Sequence, residues 1–296
     1  MEPMPQPPAP TVEVCYRHPN EQTRVHCTRC GRPICPECMI PAPVGFQCPE
    51  CVADARREFR RTHGLSVRGD VATRTLVAAI VAMFVVELLA GARLSPFPGV
   101  GRLIDLGAMV PVLVADGQYW RLFSAIFLHA NLIHIAFNAY VLWLVGSNVE
   151  STFGHTRMVT IFFVTGFVAS AASYAFGPVN AISVGASGAI AGIFGAFVAY
   201  NYRRRHQRFA RAQLQWATTM ILLNVALAVG FSGIDWRAHL GGLIAGLVAG
   251  AVVDRRAPAE QPMALQIAGI VALVAVGVAL VVWRTAEIRE LAGFGF

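Results

Sequence analysis

The chain contains no lysine: all 24 of its basic side chains are arginine. Cysteine is missing from everything beyond Cys51, and only 14% of the residues carry charge. So little charge, with 55% hydrophobic residues and a mean hydropathy of +0.54, excludes an ordinary soluble domain. The net charge of +7 is gathered in a few short loops and is not interleaved with aromatics. That excludes a nucleic-acid partner and makes the arginines markers of orientation in a membrane. No charged-then-apolar leader opens the chain. A transporter would need internal repeats or paired charges inside the apolar runs, and neither is present. What remains is a polytopic membrane protein with a separate cysteine-bearing module at its N-terminus.

Residues 1–11 (MEPMPQPPAPT) are too rich in proline to pack and read as a disordered tail. Residues 12–55 hold every cysteine. Residues 56–71, continued by Arg74, form a basic linker that is either solvated or in contact with an anionic inner leaflet. Seven apolar spans follow, at 75–91, 132–147, 158–176, 187–202, 214–231, 238–253 and 264–283. The second, fourth and sixth are short, which suits helices buried in a bundle beside water-filled space. Arginines precede the first span and follow the second (Arg157), the fourth (Arg203, Arg204, Arg205, Arg208, Arg211) and the sixth (Arg255, Arg256). With alternating spans these loops share one side, which the excess of arginine makes cytoplasmic. The N-terminus is then cytoplasmic, while segment 92–123 and the tail from Arg284 are external.

This topology puts four polar residues at one shallow outer level. Ser187 and His239 each begin an outward-to-inward span, and His134 and Asn138 lie near the outer start of the second. Polar groups at that depth are expensive and therefore functional by default. Gly188 and Gly192, and likewise Gly242, Gly246 and Gly250, form stripes of small residues that let two parallel helices approach closely. Such packing would bring Ser187 and His239 together as nucleophile and base. The alternative is that the glycines only pack helices and Ser187 only caps one. His134 and Asn138, one helical turn apart on one face, could either hydrogen-bond between helices or serve an oxyanion together with the backbone N–H of Ser187.

The stretches His134-Ile-Ala-Phe-Asn138, Gly185-Ala186-Ser187-Gly188 and Ala238-His239-Leu240-Gly241-Gly242 resemble the HxxxN, GxSG and AHxxG motifs of the rhomboid intramembrane serine proteases. Trp120-Arg121 resembles that family's WR pair in the external loop. The resemblance covers about residues 72–255. It implies a six-helix core over 72–256, with Ser187 as nucleophile, His239 as base and acid, and no catalytic aspartate. It also implies that Ser187, His134 and Asn138 stabilise the oxyanion, and that 257–296 adds a seventh helix and a short external tail. The implied activity is endopeptidase cleavage of transmembrane segments of other proteins near the outer face of a bacterial plasma membrane. Its substrates would be helices that unwind easily. The alternative is a non-catalytic rhomboid-like protein that binds or sorts membrane clients; that class should lack the serine or the histidine.

Among other polar residues, His129 is expected to hydrogen-bond structurally. Glu87 is expected to snorkel or bond locally. Glu150, about 24 Å from His134 at ~1.5 Å per residue, is expected to tie helices together at the inner side. Trp120 and Arg121 are expected to anchor the external loop at the lipid interface.

In the N-terminal module, Cys15/His18, Cys27/Cys30, Cys35/Cys38 and Cys48/Cys51 are four closely spaced pairs, enough for two tetrahedral structural zinc ions. An odd cysteine count on a reducing side disfavours disulfides. The pattern resembles B-box-type fingers, which implies cross-bracing: Cys15, His18, Cys35 and Cys38 on one ion, Cys27, Cys30, Cys48 and Cys51 on the other. Pairing in sequence order is left open by the spacing, with His26 a spare candidate. A protein partner for this module is a further expectation.

Overall fold

The computed structural model describes residues 13–62, 69–91, 102–230, 234–254 and 262–291. The proline-rich start, Arg68 and the Arg255–Arg256 pair lie outside them. The chain forms two compact units, Met1–Val67 and Arg68–Phe296.

The first unit is too small to bury a conventional core. Strand β1 (Glu13–Val14) pairs antiparallel with β2 (Gln22–Thr23), and β3 (Ile40–Pro41) with β4 (Phe46–Gln47). A 3-10 turn (Pro36–Cys38) lies between the two hairpins, and helix α1 (Pro49–Thr62) follows them. Its interior is Ile34 surrounded by Cys15, Cys27, Cys35, Cys38, Cys48 and Cys51, all buried. Six thiols around one isoleucine, with Tyr16, Val25 and Met39 partly buried against them, make a small core for some 50 residues.

The second unit is helical throughout. It comprises α2 (Val71–Leu89), the short helices α3 (Arg102–Gly107), α4 (Pro111–Ala115) and α5 (Arg121–Ser124), then α6 (Leu132–Phe153), α7 (His155–Phe176), α8 (Ser187–Arg203), α9 (Arg208–Gly230), α10 (Trp236–Val253) and α11 (Met263–Leu291). Seven of these are long, among the described residues. By length and composition α2, α6, α7, α10 and α11 can each cross a membrane. Helix α8 has only 17 residues, and α9 opens on a polar turn. The chain is an all-α polytopic membrane protein preceded by a small cysteine-bearing module.

Two helices outrun their expected spans. The second was expected to stop at 147, yet α6 continues to Phe153. Its polar last turns bond to the helix itself: Ser147 and Asn148 donate to the carbonyls of Trp143 and Leu144, and Ser151 and Thr152 to that of Asn148. Falling hydropathy marked a change of surroundings, and the helix runs on through it. Likewise α11 continues beyond Trp283 to Leu291.

Buried polar side chains set the relative levels of the helices. Glu150, 2% exposed, accepts the N–H groups of Ala72 (2.8 Å) and Thr73 (2.7 Å), the Thr73 hydroxyl (2.6 Å) and a bond with His155. It thus caps the start of α2 and joins it to the end of α6. At the opposite end, the fully buried Glu87 of α2 accepts the His129 N–H at 3.1 Å, just ahead of α6. Glu87 therefore bonds locally and does not snorkel. Arg204 grips the buried Asp254 through two bonds of 2.8 and 3.0 Å, joining the far ends of α8 and α10.

Helices α8 and α10 share the most extensive contact in the unit. Its register is legible atom by atom. A Cβ on Gly242 would lie 2.0 Å from the Gly188 carbonyl oxygen, one on Gly246 1.9 Å from that of Gly192, and one on Gly250 2.5 Å from the Cα of Ala196. The sequence separation is the same in all three pairs, so the helices run parallel at backbone contact, as their small-residue stripes require.

Candidate active site

That register decides where Ser187 and His239 stand. Ser187 precedes the Gly188–Gly242 level by one residue and His239 by three, a difference of about 3 Å along the axes at ~1.5 Å per residue. Both side chains line one cavity of about 520 Å³ between α6, α8, α9 and α10. Ser187 does not cap its helix: the N-cap of α8 is Ala186, which makes no side-chain capping bond. Its hydroxyl stands in the cavity instead, at the positive end of the α8 dipole, where the first N–H groups have no intrahelical partner.

Asn138 reaches the same cavity from α6. It is 2% exposed, and among the described residues its side-chain amide nitrogen has no hydrogen-bond partner. Leaving such a donor unpaired costs roughly 1–3 kcal/mol, and this one is placed to meet a group that enters the cavity. His134 lies beside it. A Cβ on Gly185 would come within 2.7 Å of His134 Nε2 and 3.5 Å of Asn138 Nδ2. Both groups therefore press against the backbone two residues before Ser187. Gly185 also has φ +120°, a conformation strained for any side chain, so glycine is required here twice over.

His129 is buried, contacts the Phe127 carbonyl at 3.2 Å and sets its ring edge-on to His134 at 5.1 Å. It supports the neighbouring imidazole and does not line the cavity. Arg121 departs from the expected interfacial anchor. It is 3% exposed and donates to the carbonyls of Ala108 (2.6 Å) and Asp105 (2.9 Å) and to Gln118 (2.8 Å). The carbonyls at the C-terminal end of α3, left without intrahelical partners, need a multidentate donor more than the lipid interface does. Only Trp120 of the pair stays half-exposed.

Sequence reasoning missed Asp235. Its Oδ1 accepts the Ala238 N–H at 3.2 Å as the N-cap of α10, while Oδ2 accepts the hydroxyls of Ser183 (2.7 Å) and Ser173. One carboxylate thus ties the start of the His239 helix to α7 and to the loop before Ser187. An Asp just ahead of an apolar run is a recognisable N-cap signal; its two serine partners are not. The apolar walls of the cavity, Phe137, Val141, Ile190, Phe194 and Leu243, with Trp236 at α10 and Asn224 of α9, were also missed, since any buried helix face would supply them.

The first unit carries two further clusters. Cys15, His18, Cys35 and Cys38 have their ligand atoms within 4.8 Å of one another, and so do Cys27, Cys30, Cys48 and Cys51. The pairing is cross-braced, and each cluster could hold one metal ion. His26 takes part in neither and pairs with Glu13 at 2.7 Å. All seven cysteines are free of disulfides. Burial alone would raise the Cys15 thiol, but hydrogen bonds from the backbone of Arg17, Cys35 and His18 outweigh it and bring it to about 6. Burial and three neighbouring thiols push Cys51 up to about 12. Thiols that obstruct one another's ionisation are what a shared cation relieves.

The family model described as Rhomboid domain matches residues 116–256, from the end of α4 to just past the end of α10. The chain is 33% identical over 203 residues to the rhomboid protease GluP of Bacillus subtilis, covering 67% of this chain and 38% of that protein. It is 29% identical over 177 residues to rhomboid-like protease 1 of Toxoplasma gondii, covering 58% and 60%. The chain thus spans less than two thirds of either relative's length. YdcA of Bacillus subtilis, named provisionally as a rhomboid protease, is 30% identical over 135 residues, 46% of this chain and 67% of that protein. With that identity sustained over two thirds of YdcA and the domain match running through both glycine-packed helices, the chain belongs to the rhomboid family.

Proposed function

We propose that this protein is an intramembrane serine endopeptidase that cleaves transmembrane segments of other membrane proteins near the outer face. Ser187 attacks the scissile carbonyl and His239 takes its proton. The tetrahedral oxyanion is met by the Asn138 amide, the His134 imidazole and the backbone N–H of Ser187. His239 then gives the proton to the leaving amine, and water hydrolyses the acyl-enzyme. Asp235 positions the His239 helix: both its oxygens are taken by Ser173, Ser183 and the Ala238 N–H. The observation that carries this reading is the unpaired, buried Asn138 amide in the cavity that also holds Ser187 and His239. An apolar cavity of that kind suits a segment that arrives through lipid and unwinds there. The arginine distribution supports a cytoplasmic N-terminus and an external C-terminus, and the proposed setting is a bacterial plasma membrane.

The test is covalent labelling of purified protein by a fluorophosphonate, with the modified peptide mapped, alongside cleavage of a model membrane substrate. A label on Ser187 and cleavage in the substrate's membrane segment are expected; an unlabelled, folded protein would end the reading in favour of a client-binding role. Asn138→Ala should lower kcat by about 10²-fold with KM nearly unchanged, because an oxyanion donor acts in the transition state. An unchanged kcat would remove Asn138 from that role.

The two N-terminal clusters are proposed to bind one structural Zn²⁺ each. The Cys30–Cys48 sulfur separation of 3.8 Å matches the edge of a tetrahedron with Zn–S arms of about 2.3 Å and is far too long for a disulfide. No step of the proteolytic reaction passes through them, and a protein partner for this module is part of the proposal. Elemental analysis should find two zinc ions per chain. Chelation should make residues 13–62 protease-sensitive while fluorophosphonate labelling stays within about twofold. A chelated module as resistant as the untreated one would exclude a structural metal.

A further inference from the structure

We propose that α11 is a clamp on the loop that leads into Ser187, and that Arg284 and Arg289 are positioning residues for the catalytic pair; this rests on the protease reading above. The helix runs two turns beyond Trp283, and those turns are bonded to the protein. Arg284 Nη2 donates to the Gly177 carbonyl at 3.1 Å, at the C-cap of α7. Arg289 Nε donates to the Ala115 carbonyl at 2.8 Å, at the end of α4. Between them the buried hydroxyls of Thr285 and Tyr174 bond at 2.8 Å. Val281 and Ile288 are buried against a cluster that includes Met109, Val114, Ala115 and Leu122.

Both carbonyls gripped by α11 belong to segments that hold the loop 178–186. Gly177 is where that loop leaves α7. The segment around α4 pairs with the loop directly: Met109 and Ser183 exchange N–H to carbonyl bonds of 3.1 and 3.0 Å, and the Val112 N–H donates to the Val179 carbonyl at 3.2 Å. The Gly185 N–H closes the sequence at 2.8 Å on the Ala125 carbonyl. This ladder is short, lies outside any sheet and ends on a glycine whose φ is +120°. A few isolated bonds beside water open readily, and an arginine fastening each flank keeps the opening rare. The placement also suits the charges, since a helix C-terminus such as that of α7 attracts a cation. Arg284 is itself steadied by Glu287 at 2.7 Å.

The decisive comparison is between wild type, the Arg284→Ala/Arg289→Ala double variant and the Arg284→Lys/Arg289→Lys double variant, each as full chain in detergent or nanodiscs. Hydrogen exchange of segment 178–186 should accelerate at least tenfold in the alanine form. The rate of Ser187 labelling per folded molecule should fall about tenfold, with KM for a membrane substrate changed by less than twofold. Lysine can make the single bond each carbonyl needs, so the lysine form should recover to within about threefold of wild type. If the alanine form exchanges and labels like wild type, or if its loss only follows the folded fraction, the clamp is wrong. Should the alanine form fail to fold, Thr285→Val takes its place: faster exchange of 178–186 supports the clamp, and unchanged exchange overturns it. A wild type that never labels would overturn the protease reading alone, because the exchange result stands apart from it.

Discussion

Ser187→Ala and His239→Ala should each reduce cleavage of a membrane substrate by about 10⁴-fold to 10⁶-fold, and the double variant should be no worse than the more damaged single one. A nucleophile and its base act as a unit: removing either leaves only binding and oxyanion stabilisation, and removing the second then takes away nothing more. The geometry here sharpens the expectation. Asp235 has its oxygens occupied by Ser173, Ser183 and the Ala238 N–H, so it does not stand ready to replace the lost imidazole. Single-turnover cleavage in proteoliposomes, with protein amount set by the folded fraction, measures all three variants. Losses that multiplied in the double variant would mean that the two residues act independently, and the dyad would be abandoned.

Gly246→Val should be the most damaging substitution away from the reacting groups. A Cβ there would sit 1.9 Å from the Gly192 carbonyl oxygen and 2.5 Å from its carbon, backbone atoms that no rotamer change can move. In lipid, apolar burial does not drive helix association, and close backbone packing supplies much of what holds α8 to α10. Separating them should cost more than about 4 kcal/mol and lift His239 away from Ser187 at the same time. The expected result is loss of most folded protein on thermal unfolding in detergent, with fluorophosphonate labelling of any folded remainder down at least 100-fold. Gly69→Ala, whose Cβ would meet nothing nearer than 3.9 Å, should behave as wild type. A Gly246→Val protein that melts and labels normally would show that the parallel register is mistaken.

The contrast between those glycines and the buried polar residues explains what could be foreseen. The stripes at Gly188/Gly192 and Gly242/Gly246/Gly250 are local patterns, and a local pattern with a helical period already implies a face and a neighbour. The same holds for the cysteine pairs, whose short spacings are those of ligands that could share one metal ion. Arg121 reads in sequence as an interfacial residue and folds into a brace for the carbonyls at the end of α3, because that segment meets Arg121 only once 102–124 has coiled over itself. Helix α6 outlasts its hydropathy for a similar reason: Glu150 looks like the end of a span until the N–H groups of Ala72 and Thr73 arrive to use it.

The sequence by itself determined that this chain crosses a membrane several times and that a cysteine-bearing module precedes the first span. Each of these follows from composition or periodicity, which neighbours along the chain are enough to specify. Tertiary structure alone decided that Asp235 joins the His239 helix to Ser173 and Ser183, that the cysteine pairs alternate between two clusters, and that α11 reaches back to Gly177 and Ala115. Those are contacts between segments far apart in the chain. A buried donor takes whichever acceptor the packed helices leave beside it, and no spacing along the sequence records which one that will be.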